Sequence, residues 1–343
     1  MSKWYQKSGP DGDVVISTRI RLARNLREYP FPNRMNSDQF AQVEDKVKDA
    51  VMSANQAFSS MFRCIELSSL NKEERVAMVE RHLVSPDFIS EPNHRELILS
   101  NDEEISIMVN EEDHLRIQVM KEGMQLSEVF AMADRIDTLL NERLNFAFDD
   151  ELGYLTQCPT NLGTGLRASL MMHLPGLQES GVLARVNANL NKLGFVLRGM
   201  YGEGSQAAGA VYQLSNQVTL GLSEKDALEN LTGMARQIIR QEREARKQMR
   251  EDINMQDKIA RAKGILSHAR MLSSSEFMDL ISCVRLGVAE QMCSGLSLDT
   301  VNALMIEAQP ASISSAAGHS LTPQERDIRR AELVRQALSA PEK

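Results

Sequence analysis

The run Gln157-Cys158-Pro159-Thr160-Asn161-Leu162-Gly163-Thr164-Gly165-Leu166-Arg167 sets a sulfur nucleophile and a permanent cation at the two ends of one tight loop. Pro159 fixes one φ angle, and Gly163 and Gly165 open backbone conformations closed to other residues. Thr160, Asn161 and Thr164 can hold such a turn through local hydrogen bonds. Arg167 offers a planar fork of donors matched to phosphate oxygens, and Cys158 could supply a thiolate. The same residues also fit a structural turn around a buried cysteine. A second pair of cations, Arg19 and Arg21, lies in an alternating stretch, residues 13–22. A strand there puts Ser17, Arg19 and Arg21 on one face and Val14, Ile16, Ile20 and Leu22 on the other. Two arginines sharing a face repel unless an anion lies between them, although a solvated edge strand explains them too. Asn110-Glu111-Glu112-Asp113 concentrates carboxylates, and on its own it reads as a solvated hairpin turn.

The elements that must position these residues alternate between strands and helices. Ser37 is expected to cap a helix reaching about Phe58, with Phe40, Val43, Val47 and Val51 inward. Asn71 caps another, Glu74 completing a capping box and Val76, Val79 and Leu83 facing the core. Strands are expected at Glu96–Ser100, Glu104–Val109 and His114–Met120, then a helix near Gln125–Leu144. After the loop, one helix is expected over Pro175–Leu193 with Gly194 at its C′ position. A strand Phe195–Gly199, a glycine loop containing Glu203, a strand Val211–Leu220 and a long helix capped by Ser223 complete this half. From about Asp252 onward the pattern is helical, punctuated at Ser273–Ser275, Gly295 and Pro310–Ser315.

Composition bounds the rest. A chain of 343 residues, 42% of them hydrophobic, has material for two domains, or for one large domain with an appendage. No apolar run is long enough to span a bilayer, and the polar start Met1-Ser2-Lys3-Trp4 is not expected to be a signal peptide. Cys64, Cys158, Cys283 and Cys293 are scattered without metal-like or disulfide-like spacing, so no metal site is expected and a reducing cytoplasm is. A net charge of −8 speaks against direct nucleic-acid binding. No Walker loop and no protein-kinase catalytic motif occurs.

Cys158-Pro159-Thr160-Asn161-Leu162-Gly163-Thr164-Gly165-Leu166-Arg167-Ala168 closely resembles the signature loop of the phosphagen (guanidino) kinases. Ser17-Thr18-Arg19-Ile20-Arg21 is similar to their phosphate-holding segment, a likeness that Arg24 and Asn25 extend, and Val109 through Arg116 matches their glutamate motif. The resemblance spans roughly residues 13–245 and implies an α+β fold, a mostly antiparallel sheet flanked by helices. It implies ATP and Mg²⁺ as cofactors, with Glu112 and Glu203 handling the guanidine and Cys158 tuning it. Nucleotide contacts would come from Ser17, Thr18, Arg19, Ile20 and Arg21, from His82 and Arg116, and from Arg167, Ala168, Ser169, Leu170 and Met171. Arg198, Gly199, Met200, Tyr201 and Gly202 would close the set.

Two departures refine the likeness. The phosphagen kinases carry a helical domain before the first arginine motif, whereas here Arg19 is close to the N-terminus. A small all-helical domain, residues 251–343, is added after a catalytic domain of residues 1–250. That combination resembles the bacterial protein-arginine kinases of the McsB type. It implies protein substrates with exposed arginines, an activator protein, a Clp chaperone–protease, a heat-shock repressor as target, and a homodimer. In Leu321-Thr322-Pro323-Gln324-Glu325-Arg326-Asp327-Ile328-Arg329-Arg330-Ala331, Thr322, Pro323 and Glu325 form a strong helix start. By pattern this is a solvated helix with a salt bridge. By resemblance Arg326, Asp327, Arg330 and Ala331 form a phosphoarginine pocket. A small-guanidine kinase and a non-catalytic phosphoarginine reader are the alternatives.

Overall fold

The computed structural model describes residues 2–54, 56–199 and 208–339. In chain order it contains β1 (Val15–Arg24), α1 (Ser37–Met52), α2 (Gln56–Ser59), β2 (Phe62–Glu66), α3 (Lys72–Glu80) and α4 (Pro86–Ser90). There follow β3 (Glu96–Ser100), β4 (Ile105–Val109), β5 (Leu115–Glu122), α5 (Leu126–Leu144) and a small hairpin of β6 (Phe148–Asp149) and β7 (Gly153–Tyr154). The catalytic half ends with β8 (Leu166–His173), α6 (Pro175–Glu179), α7 (Leu183–Lys192), β9 (Phe195–Gly199), β10 (Val211–Asn216) and α8 (Glu224–Glu251). Helices α9 (Ile253–His268), α10 (Ser274–Ala289), α11 (Leu298–Glu307), α12 (Pro310–Ala317) and α13 (Pro323–Ser339) complete it.

Eight strands join in the order β2-β3-β4-β5-β1-β8-β10-β9, every pair antiparallel. Period-two alternation gives this sheet one core face and one mixed face. Ile20, Leu22, Ile117, Ala168 and Leu170 point to the core side, where α1, α5, α7 and α8 cover them. The other face is dry at two places and polar between them. Leu97, Leu99 and Met108 pack under α3 and α4, while Ile16, Met120, Met171 and Val211 pack against Trp4 and the C-terminal helices.

The C-terminal helices grip the sheet through buried polar groups rather than apolar contact alone. Arg285 of α10, fully buried, donates to the carbonyls of Gly12 and Asp13 just before β1, and to Asn302 Oδ1. Arg246 of α8 reaches the carbonyls of Asp13 and His173 and pairs with buried Glu242. On the far side, Glu80 at the end of α3 accepts from the backbone amides of Ala311 and Ser312 and from the Ser312 hydroxyl. This carboxylate caps the N-terminus of α12 from another domain, where orphan amides and the helix dipole favour negative charge.

Several local expectations are corrected. Asn36, not Ser37, caps α1, its side chain accepting from Gln39 N–H, and the helix stops at Met52. In α3 the buried positions are Ala77, Met78 and Glu80, with Val76 and Val79 at the margin. The expected Pro175–Leu193 helix is two, because Gly181 takes φ +68° between α6 and α7. β10 ends at Asn216, whose side chain turns back onto the Ala168 amide and the Leu166 carbonyl. A register shift between Val15 and Ser17 sends Ile16 to the C-terminal helices while Val14 stays in the main core. Asn71 and Ser223 cap as expected, and Gly194 follows α7 at φ +78°.

Candidate active site

Cross-strand register assembles the arginines. Arg19 lies opposite Ser169 and Arg21 opposite Arg167 across β1 and β8, while Ala23 lies opposite Arg116 across β1 and β5. Arg198 lies opposite Gln213, which lies opposite Met171. Directly opposed residues share a face, so Arg19, Arg21, Arg116, Arg167 and Arg198 stand on one surface of the sheet. Ser17, Ser169 and Met171 share it. Thr18, Ile20, Ala168 and Leu170 alternate to the other side, and the Thr18 hydroxyl bridges the Gly123 carbonyl and the Gln125 amide at the start of α5. These four offer the site backbone atoms only.

The row is short of counter-charge. Burial, reinforced by Arg116 and Arg167, pushes the Arg19 pKa down to about 10, and burial with Arg19, Arg116 and Arg167 takes Arg21 well below its usual value. Arg167 is likewise lowered, by burial and then by Arg198 and Arg116. Among the described residues, Arg19 donates to neutral partners, Ser169 Oγ at 3.3 Å and Gln213 Oε1 at 2.7 Å. Among the same residues, the Nε atoms of Arg21 and Arg167 are buried without a hydrogen-bond partner. Unpartnered donors of one sign, packed side by side, favour an anion between them.

Arg116 is the member with carboxylates. It meets Glu111 at 2.7 Å and Glu112 at 3.4 Å. Glu111 is buried and also accepts from Ser85, whereas Glu112 is partly exposed at the hairpin tip. The hairpin is aimed by Asp113, whose Oδ1 accepts from the Asn25 side chain at 2.7 Å and the Gln157 amide at 2.8 Å. That second bond ties the Glu112 turn to the residue preceding Cys158. Cys158 Sγ lies 3.0 Å from Thr160 Oγ1. Glu112 and Cys158 each act electrostatically on Arg167, after burial and its arginine neighbours.

The loop itself is held by backbone contact. Gly163 adopts φ +108°, and a Cβ there would run into the Thr219 carbonyl; a Cβ on Gly153 would meet Gly163. Tyr154 N–H donates to Gly163 O at 2.7 Å, and Thr219 Oγ1 donates to Leu162 O at 2.7 Å and Thr160 O at 3.1 Å. Arg24, on the core face of β1, forms a bidentate pair with Asp137 at 2.8 and 3.0 Å. It stacks 3.4 Å over Tyr154 and donates to Thr164 O. Arg24 is therefore a staple beneath the loop rather than an extension of the phosphate row.

His82 takes φ +59° just after α3 and is buried beside Trp4. Burial and the Arg19 charge depress its pKa to about 3, so it meets any ligand neutral. Gly199 ends β9, while Met200, Tyr201, Gly202 and Glu203 lie outside the described residues. In α13, Arg326 donates to Leu321 O and Asp327 accepts from Arg330 at 2.7 Å. Arg330 is buried, donating also to Ala308 O at 2.8 Å and Leu272 O at 2.6 Å, and Ala331 is buried in the same core. Among these four, only Arg326 and Asp327 reach solvent.

Sequence reasoning passed over Asp113, Glu80 and Thr219, which act through backbone groups distant in the chain. Gln213 was the readable one, since a polar residue at an inward position of β10 needs a partner.

A row of arginines on one sheet face, with a glutamate and a cysteine loop beside it, accompanies a match that shows the class: an ATP:guanidino phosphotransferase. Residues 42–245 match the family model of the ATP:guanido phosphotransferase C-terminal catalytic domain, and residues 252–343 that of the protein-arginine kinase McsB C-terminal domain. The protein-arginine kinase of Caldanaerobacter subterraneus subsp. tengcongensis is 45% identical over 334 residues, 97% of this chain and 99% of that one. That of Moorella thermoacetica is 47% identical over 342 residues, 98% of this chain and 97% of that one. Among solved structures, lombricine kinase aligns with a TM-score of 0.61 at 25% identity, over 69% of this chain and 68% of the other. The substrate-free duplicated taurocyamine kinase from Schistosoma mansoni gives 0.59 at 29%, over 67% and 33%. The chain belongs to the protein-arginine kinase family.

Proposed function

We propose that this protein transfers the γ-phosphoryl group of ATP to arginine side chains of other proteins. The observation that carries the reading is the cationic row with the unpartnered Nε donors of Arg21 and Arg167 among the described residues, beside the Glu112 turn that Asp113 ties to the Cys158 loop. Phosphoryl transfer is governed by positioning and charge stabilisation, which such a row supplies to the phosphate oxygens. The acceptor guanidinium, pKa above about 12, must lose a proton as it attacks. Glu112 accepts that proton while the N–P bond forms and the bond from the γ-phosphorus to the ADP oxygen breaks. Arg116 holds Glu112 until phosphate oxygens compete for the guanidinium. Glu203 is the second carboxylate of this reading, and Cys158 orients the guanidine.

Among the described residues no three His, Cys, Asp or Glu side chains gather as a metal cage. Mg²⁺ would accompany the nucleotide and neutralise phosphate charge. Arg326 and Asp327 bind phosphoarginine at the surface of α13, with Arg330 and Ala331 as their support. An activator protein, a Clp chaperone–protease, a homodimer, a cytoplasmic setting and a role in stress response belong to the same reading. No helix of the described residues is long and apolar enough to cross a membrane.

Mass spectrometry of an unfolded protein after incubation with Mg-ATP, under conditions that spare the acid-labile N–P bond, tests this. Phosphoarginine on the protein is the expected result. Phosphorylation of free arginine alone would replace the reading with a small-guanidine kinase.

A further inference from the structure

Gly163 lies between two backbones, Gly153–Tyr154 on one side and Thr219–Leu220 on the other. The side chains next to these contacts face solvent and are apolar. Phe148 and Leu152 of the β6–β7 hairpin are 45% and 44% exposed, and Val218 and Leu220 are 47% and 49% exposed. Leu193, 60% exposed, adjoins Val218, since Gln217 N–H donates to Gly194 O. Large apolar residues exposed singly are ordinary, but five bordering one catalytic loop are not. Acidic side chains gather at the hairpin end of the band, while Arg27, Lys192 and Lys225 lie elsewhere along its edge. Asp149, Asp150 and Glu151 form the exposed hairpin tip, and Glu224 begins α8 two residues after Leu222. The nearby cation Arg27 donates to the Phe148 carbonyl, and Lys192 stands at the far end beside Leu193.

From this juxtaposition we propose that the Phe148–Leu152 hairpin and the Val218–Leu220 connector form a docking surface for unfolded, basic polypeptide segments, flanking the loop that receives the target arginine. It rests on the protein-kinase reading above and specifies the substrate class. A folded protein buries its large apolar side chains; an unfolded segment presents them beside its arginines. Apolar residues of the segment cover Leu152 and Leu220, and its basic residues meet the Asp149–Glu151 tip. The distance to the chemistry is short, because Thr219 binds the Thr160 carbonyl and the Thr160 hydroxyl touches Cys158.

The experiment compares wild type with Leu152→Ser/Leu220→Ser and with Asp149→Asn/Glu151→Gln, using reduced, alkylated lysozyme as the unfolded basic substrate. KM should rise about tenfold in the apolar pair with kcat and ADP affinity unchanged, the pattern of lost uniform binding. The acidic pair should raise KM less and flatten its salt dependence. Unchanged KM in both variants overturns the surface. So does a loss of self-association in the apolar pair by light scattering, since the band would then cover a second copy. Anisotropy of the fluorescein-labelled polypeptide supplies an independent binding measurement. If wild type binds the polypeptide and fails to phosphorylate it, the proposed function falls and the docking surface stands.

Discussion

Arginine does two opposite jobs in this molecule. On the polar sheet face, Arg19, Arg21 and Arg167 crowd one another, and among the described residues the Nε donors of Arg21 and Arg167 find no partner. Away from that face, Arg246, Arg285 and Arg330 are more deeply buried, yet each is engaged by carbonyl oxygens contributed by other elements, and Arg285 bridges the C-terminal helices to the segment before β1. The same side chain is an unfinished site in one place and a finished rivet in the other. The rivets are the more deeply buried of the two sets and also the saturated ones. A cation row that lacks anions stores repulsion which a polyphosphate relieves, so its members should matter for turnover and little for folding. A saturated arginine should matter in the reverse order.

The largest effect expected is in the row. Arg21→Ala and Arg167→Ala should each lower protein phosphorylation by about 10³–10⁵ while the thermal midpoint holds or rises. Melting followed by circular dichroism, alongside the rate, checks both halves, and a fall in midpoint would erase the contrast. Glu112→Gln comes next, at about 10²–10⁴ in rate with ATP affinity retained by calorimetry. Should ATP binding vanish too, Glu112 is supporting Arg116 rather than receiving a proton. Arg285→Met should behave as a rivet, costing about 3 kcal/mol of stability through the deserted Gly12 and Asp13 carbonyls. Below its unfolding range it should keep most of its turnover.

A further effect is pH-dependent. Burial lowers the His82 pKa to about 3 and the His114 pKa to about 4, both under the unfolded value of about 6.5. His114 accepts from the Leu26 amide at Nδ1 and hydrogen-bonds the Pro30 carbonyl through Nε2, an arrangement for the neutral ring. Depressed histidines contribute stability that is fully present above about pH 6.5 and lost as pH falls toward 4. Each steepens the loss by up to about 1.4 kcal/mol per pH unit. Denaturant midpoints between pH 7 and 4 should decline less steeply in His114→Asn than in wild type.

The sequence shows the row but not the saturation. Alternation in residues 13–22 put Arg19 and Arg21 on one face, and the capping residues Asn71 and Ser223 announced α3 and α8. Arg24 shows the limit. It looked like a continuation of the phosphate segment, yet its even position placed it among Ile20 and Leu22, where only a partner such as Asp137 makes it tolerable. That partner lies 113 residues away, and nothing local names it. Arg330 is the same case within the C-terminal helix. Its pattern suggested a solvated helix with a salt bridge, whereas the side chain is buried and donates to the carbonyls of Leu272 and Ala308. The bulge that turns Ile16 was equally hidden, since a register shift is a property of two strands at once.

The stack at Gly163 has a consequence for how this protein can vary. Three peptide backbones lie against one another there, with no side chain between them. The gap is set by the thickness of a peptide group, a length that substitution cannot tune. Leu152 and Leu220 hang outside that gap, so they are free to drift from lineage to lineage without moving Cys158. Preference among targets can thus evolve beside a loop whose geometry stays constant.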